Sequence, residues 1–121
     1  MNALVLLSSA LICFQGPHDT QQKCYHILEG SKTPIGVYEV RHMKTPYHGY
    51  GGDVLVFKET ENYALAIHRV WLGNPNQHRQ ERLNSNNPDQ RKNITNGCIN
   101  VSPEIFDELV ANHLETLEIR N

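Results

Sequence analysis

Residues 94–101 read ITNGCINV and lead directly into a helix start at Ser102-Pro103. A glycine just before a cysteine allows a tight backbone turn and lets a substrate carbonyl approach the main chain, because no Cβ intrudes. The N–H groups around such a turn can converge on one point, as an oxyanion hole requires. A thiol needs a base or an electropositive setting to be a good nucleophile at neutral pH. Cys98 is therefore a candidate nucleophile; taken alone, it could equally be a small buried hydrophobe.

His68 is the candidate base. It follows residues 64–67, a buried-looking strand, and stands where that strand gives way to a long polar segment. We expect a histidine at a strand end to be held firmly and still to reach solvent. Taken alone, His68 would be interpreted as a histidine of the core or of a sheet edge whose ring nitrogens are hydrogen-bonded within the protein. The glycine-cysteine turn and the polar segment beside it favour catalysis by the two residues together.

The patterns predict a mainly β protein, a sandwich or flattened barrel, with one short helix near the C-terminus. The predicted strands are residues 5–7, 10–14, 23–28, 36–40, 54–58, 63–67 and 117–120. Ser102 is expected to cap the helix, with Pro103 at its first position. Residues 73–93 contain one aliphatic side chain, Leu83, and are predicted to be a functional loop or disordered. The 121 residues fit one domain, 1–121.

Composition narrows the function classes. The net charge of −2 gives no reason to expect nucleic acid as a partner, and no apolar run is long enough to span a membrane. Residues 1–14 are either the apolar part of an export signal or the first two strands. The seven histidines lack metal-binding spacing, so we expect no metal and no cofactor.

Two of the three cysteines face each other if a hairpin turns at His18-Asp19. Cys13 and Cys24 would then form a disulfide in an oxidising compartment, or remain two small buried side chains. The second interpretation is the one favoured by the sequence. In either case Cys98 is a free thiol.

At these residues the chain resembles the L,D-transpeptidase catalytic domain, also called the YkuD-type domain. That family has a histidine at a strand end, a spacer, and then Ser/Thr-His-Gly-Cys, a hydrophobic residue and Asn or Arg. The matching residues are His68 and the stretch 95–100, which reads TNGCIN. A Thr-Pro-x-Gly segment of the family is matched by residues 33–36, and the order of elements agrees from Val5 to Ile119.

The resemblance implies the family's β-sandwich and a peptidoglycan L,D-transpeptidase that functions in cell wall biogenesis and cell shape, in the periplasm or cell envelope. Cys98 would attack a tetrapeptide stem, release the terminal D-alanine and pass the acyl group to an amine, forming a 3→3 cross-link. His68 would be the base, oriented by the carbonyl of Arg69. Gly97 and Cys98 would supply the oxyanion N–H groups.

Two departures from the family pattern affect the expected substrate contacts. Asn96 replaces the usual histidine before Gly-Cys, and an amide cannot relay a proton at neutral pH. The spacer after His68 is longer and carries arginines that suit stem-peptide carboxylates, with a solvated insertion as the alternative. The residues assigned to substrate binding are Asn96, Asn100, Arg79, Arg82 and Trp71.

Three alternatives remain open at this point. With water as the acceptor, the same site would be an L,D-carboxypeptidase. The same fold without activity would be a peptidoglycan-binding module, with Asn96 as a mark of decay. A His–Cys dyad on another fold would be a cysteine peptidase.

Overall fold

Nine strands and two short α-helices make up the computed structural model, which describes residues 1–121. The strands are β1 (Asn2–Leu6), β2 (Leu11–Phe14), β3 (Lys23–His26), β4 (Gly36–Glu39), β5 (Arg41–Lys44), β6 (Asp53–Glu59), β7 (Ala64–Arg69), β8 (Ile99–Val101) and β9 (Thr116–Arg120). The helices are α1 (Arg79–Asn84) and α2 (Pro103–Ala111), and 3-10 turns lie at His48–Tyr50, Pro75–Gln77 and Pro88–Arg91.

The strands form two sheets. The order in the first is β3-β2-β1-β9-β4, and the order in the second is β5-β6-β7-β8. Each sheet contains one parallel pair, β1 with β9 and β7 with β8, and every other pair is antiparallel. A parallel pair needs a long crossover connection. Residues 70–98 are the crossover between β7 and β8.

The core lies between the sheets and takes side chains from both. Val5 and Ile12 come from the first sheet, and Leu55 and Ile67 come from the second. All four are almost completely buried, as expected for inward positions of strands that alternate between two faces. The mainly β sandwich predicted from the sequence is therefore confirmed.

Helix α2 closes one part of this core. Ile105, Phe106 and Leu109 are buried on one side of the helix, at helical spacing. The Ser102 hydroxyl accepts a hydrogen bond from the backbone N–H of Ile105, and Pro103 occupies the first helical position. The predicted helix start is confirmed. Neither α-helix has the length or the apolar composition needed to cross a bilayer.

The prediction of a single helix is wrong, because residues 73–93 are ordered. They contain α1, whose only buried side chain, Leu83, packs against Leu28 and Val70. The His26 ring Nδ1–H donates to the Leu83 carbonyl oxygen, with the two atoms 2.8 Å apart. The six residues of α1 offer no apolar periodicity, so their fold depends on these tertiary contacts.

Arg91 anchors the same segment to the first sheet. Its side chain is only 2% exposed and donates to the backbone carbonyls of Ser9, Ala10 and Ser85. Burial lowers the pKa of its guanidinium. Residues 73–93 are thus fixed against the β1–β2 turn and are part of the folded body.

Two strands of the structure, β5 and β8, are not among the predicted strands. β5 was not predicted, since its sequence RHMK has no apolar alternation and all four residues are exposed at a sheet edge. The apolar N-terminal run forms β1 and β2, as the strand interpretation of residues 1–14 predicts.

Cys13 and Cys24 form a disulfide, so the interpretation favoured by the sequence is wrong. They are directly opposite in the β2–β3 register, and Cys13 is buried while Cys24 is exposed. The hairpin centred on His18-Asp19 is as expected. The disulfide attaches edge strand β3 to β2.

We expect reduction of this disulfide to destabilise the protein by about 3 kcal/mol, from the loop-closure entropy of the 11-residue separation. The measurement is urea unfolding with and without a phosphine reductant. A Cys13→Ala/Cys24→Ala variant is the control, and reductant should leave its midpoint unchanged. Equal midpoints for oxidised and reduced wild type would contradict the prediction.

Candidate active site

The parallel pairing of β7 with β8 brings the candidate residues together. His68 lies opposite Asn100, and Cys98 immediately precedes β8. Tyr50, from the 3-10 turn ahead of β6, stacks on the His68 ring, and Arg79, from the start of α1, donates to the Asn100 side-chain oxygen. The structure therefore brings together side chains from four separate segments of the chain.

Short hydrogen bonds shape the turn before Cys98. The Thr95 hydroxyl donates to the Cys98 carbonyl oxygen at 2.6 Å and accepts from the Gly97 N–H at 3.1 Å. The Thr33 hydroxyl donates to the Gly97 carbonyl oxygen at 3.0 Å. Gly97 has φ +124°, and a Cβ there would lie 2.9 Å from the Leu65 side chain. A glycine is thus required for both conformation and space.

Gly30 packs directly against the backbone of the turn that precedes Cys98. A Cβ on Gly30 would lie 2.1 Å from the Thr95 carbonyl oxygen, a separation that no folded protein tolerates. The Glu29 carbonyl oxygen beside it accepts hydrogen bonds from the N–H groups of Ile94 and Thr95. Close packing of backbone 29–30 against backbone 94–95 therefore fixes the position of the cysteine turn.

The two backbone N–H groups expected to form an oxyanion hole differ. The Gly97 N–H is occupied by the Thr95 hydroxyl, so it is not available in this conformation. The Cys98 N–H donates to no other group of the chain. Only the Cys98 N–H is free to donate a hydrogen bond to an oxyanion.

His68 is 3% exposed, and the expectation that it reaches solvent is wrong. The Tyr50 ring stacks on it with ring centres 4.0 Å apart and covers it. The ring Nδ1–H donates to the Arg69 carbonyl oxygen at 2.7 Å, which leaves the lone pair on Nε2. Burial lowers the pKa of His68 from 6.5 to about 4, and the charge of Arg79 adds to this effect.

Cys98 is half-buried, and it does not form a thiolate–imidazolium ion pair with His68. Burial raises the pKa of the thiol more than the backbone hydrogen bond with Ala66 and the charge of Arg79 lower it. No hydrogen bond joins the sulfur to the His68 ring, whose Nε2 faces the Asn100 amide nitrogen at 3.4 Å. At neutral pH the resting pair is therefore a thiol and a neutral imidazole.

The residues assigned to substrate binding have different environments. Asn100 is 0% exposed, so its side chain cannot touch a substrate and instead orients its neighbours. Arg79 lies on the Trp71 ring at 5.2 Å and donates to the side-chain oxygen Oδ1 of Asn100 at 2.9 Å. Arg82 donates to the Gln90 and Lys92 carbonyls and braces residues 73–93.

Of the five, Asn96 is exposed beside Cys98, while Trp71 and Arg79 are half-buried. The Trp71 ring packs so closely that a Cβ on Gly49 or Gly73 would lie within 2.6 Å of it. No group of three or more His, Cys, Asp or Glu side chains is arranged to hold a metal ion.

Sequence reasoning assigned no role to Tyr50 or Thr33. Tyr50 belongs to the glycine-rich stretch 47–52, whose composition is typical of a turn-rich loop, and Thr33 stands out only as part of the Thr-Pro-x-Gly match. The signal that could have identified Thr33 is that same match, because the hydroxyl of a buried threonine must find a partner. Nothing in the sequence indicates that Tyr50 stacks on His68.

The buried neutral His68 makes stability depend on pH. Its folded-state pKa of about 4 is below its ordinary value of 6.5, so the unfolded chain binds the proton first as pH falls. We expect wild type to lose about 3 kcal/mol more than a His68→Gln variant between pH 7 and pH 4. Urea unfolding across this range measures the difference, and parallel pH curves for the two proteins would contradict it.

Substitution of Gly30 tests the backbone contact beneath the cysteine turn. We expect Gly30→Ala to lower the free energy of unfolding by about 1–3 kcal/mol, because the new Cβ overlaps the Thr95 carbonyl. Ser31→Ala, at an exposed neighbouring position, is the control and should change stability by less than about 0.5 kcal/mol. Urea unfolding compares the two variants, and equal stabilities would count against the contact.

The fold can be compared with solved structures. L,D-transpeptidase 3 from Mycobacterium tuberculosis, bound to a faropenem-derived adduct, matches with a TM-score of 0.58 and 16% identity over 99% of this chain and 60% of its own. The helical cell shape determining protein Pgp2 from Campylobacter jejuni matches with a TM-score of 0.62 and 14% identity over 99% of this chain and 47% of its own. An L,D-transpeptidase from Stackebrandtia nassauensis matches with a TM-score of 0.55 and 12% identity over 99% of this chain and 55% of its own.

These matches define the class of fold: the chain has the fold of the L,D-transpeptidase catalytic domain. The chain spans between 47% and 60% of the length of these three proteins. Neither a family model nor a curated protein sequence matches the chain. The likeness is therefore one of fold at low sequence identity.

Proposed function

We propose that this chain is a peptidoglycan L,D-transpeptidase that uses Cys98 as nucleophile and His68 as base. The observation that supports the proposal is the β7–β8 pairing, in which His68 lies opposite Asn100 and the free cysteine Cys98 immediately precedes β8. The likeness to L,D-transpeptidase structures supports the same chemistry. No other cysteine is available, because Cys13 and Cys24 are joined.

In the first half of the reaction, the thiol proton moves to His68 Nε2 and the sulfur attacks the carbonyl carbon of the third stem residue. The oxyanion of the tetrahedral intermediate accepts a hydrogen bond from the Cys98 N–H. The bond to the terminal D-alanine then breaks, and the D-alanine amine takes the proton from His68. The product is a thioester on Cys98 and free D-alanine.

In the second half, an amine of another stem attacks the thioester carbonyl after His68 accepts its proton. The carbon–sulfur bond breaks, the proton returns to the sulfur, and a 3→3 cross-link forms. With water as the attacking group, the product is a tripeptide stem and the enzyme is an L,D-carboxypeptidase. Nothing else in the proposed machinery changes between these outcomes.

The substrate contacts belong to the proposal as well. We assign Trp71, Arg79 and Asn96 to substrate contacts, and the positive charge of Arg79 suits a stem-peptide carboxylate. The disulfide supports a site of action in the periplasm or cell envelope, since disulfides persist in oxidising compartments. Peptidoglycan lies in such a compartment.

The decisive experiment incubates the oxidised protein with disaccharide-tetrapeptide muropeptides. We expect D-alanine release and cross-linked dimers from wild type, none from Cys98→Ala, and a rate about 10²–10⁴ times lower from His68→Gln. Ser31→Ala serves as the control that leaves the site intact. Release without dimers identifies the carboxypeptidase, and cleavage elsewhere identifies a peptidase.

The second candidate is a peptidoglycan-binding module without activity. It is favoured by one observation, the His68 Nε2 atom facing Asn100 in place of the thiol. Imipenem distinguishes the two functions by mass spectrometry of the folded protein. A covalent adduct on Cys98 supports catalysis, whereas binding of peptidoglycan with neither adduct nor turnover supports the module.

A further inference from the structure

A polar groove lies on the crossover between β7 and β8, and all nine of its lining residues belong to the stretch 76–94. Its volume of about 870 Å³ is within the range of sites that bind small molecules. Only one of the lining side chains, that of Ile94, is hydrophobic. The groove therefore has little to offer an apolar ligand, and a ligand that binds there must do so through hydrogen bonds.

Three of the lining side chains are amides without a partner. Asn76, Gln90 and Asn93 are exposed, and their backbone groups are hydrogen-bonded, but none of the three side chains forms a hydrogen bond within the protein. Each amide presents an oxygen that accepts and an NH₂ group that donates. A ligand that carries donors and acceptors close together would satisfy all three.

The charges along the groove cancel. Arg82 and Glu81 contribute one charge of each sign, and the Arg82 guanidinium already donates to the backbone carbonyls of Gln90 and Lys92. The Glu81 carboxylate lies 3.6 Å from His78 Nδ1. The lining thus offers no net positive charge to the carboxylates of a peptide stem or to the phosphates of a nucleic acid. It favours a neutral ligand that is rich in polar groups.

The groove is preformed, because its residues are held by the folded body. Ile94 packs against the buried side chains of Leu28 and Val70. Arg82 belongs to α1, and its two hydrogen bonds to backbone carbonyls join this helix to the later part of the crossover. A ligand can therefore bind without the cost of ordering the segment.

The groove adjoins the candidate active site at two points of the chain. Gln77, which lines the groove, accepts a hydrogen bond from Arg79 Nε at 2.8 Å, and Arg79 also donates to the Asn100 side-chain oxygen. Farther along the crossover, Ile94 is separated from Cys98 by only three residues. A polymer that carries a peptide branch to Cys98 would have its backbone near this groove.

We propose that the groove binds the glycan backbone of peptidoglycan, a neutral polymer of N-acetylated amino sugars. The sugar hydroxyl and acetamido groups supply donors and acceptors to Asn76, Gln90 and Asn93, and the charged stem is left to the candidate active site. The inference rests on the proposed function for the identity of the polymer. It assigns the long crossover the recognition of sugar in addition to peptide.

The test is an NMR titration of oxidised, ¹⁵N-labelled protein with fully N-acetylated chitotetraose, a sugar oligomer without peptide. We expect shifts of the side-chain amide resonances of Asn76, Gln90 and Asn93 and of the backbone resonances of 76–94. Gln90→Ala and Asn76→Ala should each weaken binding about 3- to 10-fold, because each removes hydrogen bonds to the sugar. Gln22→Ala changes an exposed glutamine outside the groove and should bind like wild type.

The absence of shifts in the groove, or equal affinities of wild type and Gln90→Ala, would overturn the inference. Equal binding of cellotetraose, which lacks the acetamido groups, would overturn it as well. The same holds if a sugar-free tetrapeptide stem shifts the same groove resonances. The substituted side chains are exposed, and dispersed amide spectra establish that the variants are folded.

A second arm separates this inference from the proposed function by means of Cys98→Ala, which cannot turn over. In this background we expect Gln90→Ala to weaken binding of the disaccharide-tetrapeptide about 3- to 10-fold and to leave binding of the free tetrapeptide unchanged. Equal losses for the two ligands would overturn the sugar assignment. A protein that binds the sugar in this way but forms no imipenem adduct would support the groove and contradict the proposed function alone.

Discussion

The parallel register of β7 and β8 is the constraint on which the site depends. Pairing of His68 with Asn100 across the two strands sets the histidine, the buried amide and the cysteine turn at one edge of the second sheet. β8 is held from its other side as well, because Asn100 and Leu28 exchange backbone hydrogen bonds. A shift of one residue would turn each of these side chains to the opposite face. The β7–β8 register therefore determines both the packing of the core and the position of the candidate site.

Parallel pairing also explains the long connection between the two strands. A chain that leaves the C-terminal end of β7 must cross to the opposite end of the sheet before it enters β8, and residues 70–98 make that return. In this protein the return carries Trp71 and Arg79, which both donate to the Asn100 side-chain oxygen, and Arg91, which fastens the far end to the β1–β2 turn. The segment is thus both the topological link and one wall of the site.

The sequence revealed the parts of the fold that depend on local patterns. The β-branched strands, the Ser102 cap and the apolar face of α2 are all encoded by spacing, and the Gly97-Cys98 turn is encoded by a residue pair. β5 and α1 could not be predicted, because RHMK and RQERLN have no apolar periodicity and are ordered by neighbours distant in sequence. The disulfide was missed for a related reason: opposite register is visible in the sequence, but the oxidation state is not. The burial of His68 depends on Tyr50, eighteen positions away and in another segment.

The Cys13–Cys24 link has a consequence for biogenesis. Its two sulfurs belong to consecutive strands of one hairpin, so an emerging chain can complete the cross-link before residue 98 has been delivered. Short loops close more readily than long ones, which favours this pairing over any that involves Cys98. In an oxidising compartment, early closure of the hairpin leaves Cys98 as the one free thiol.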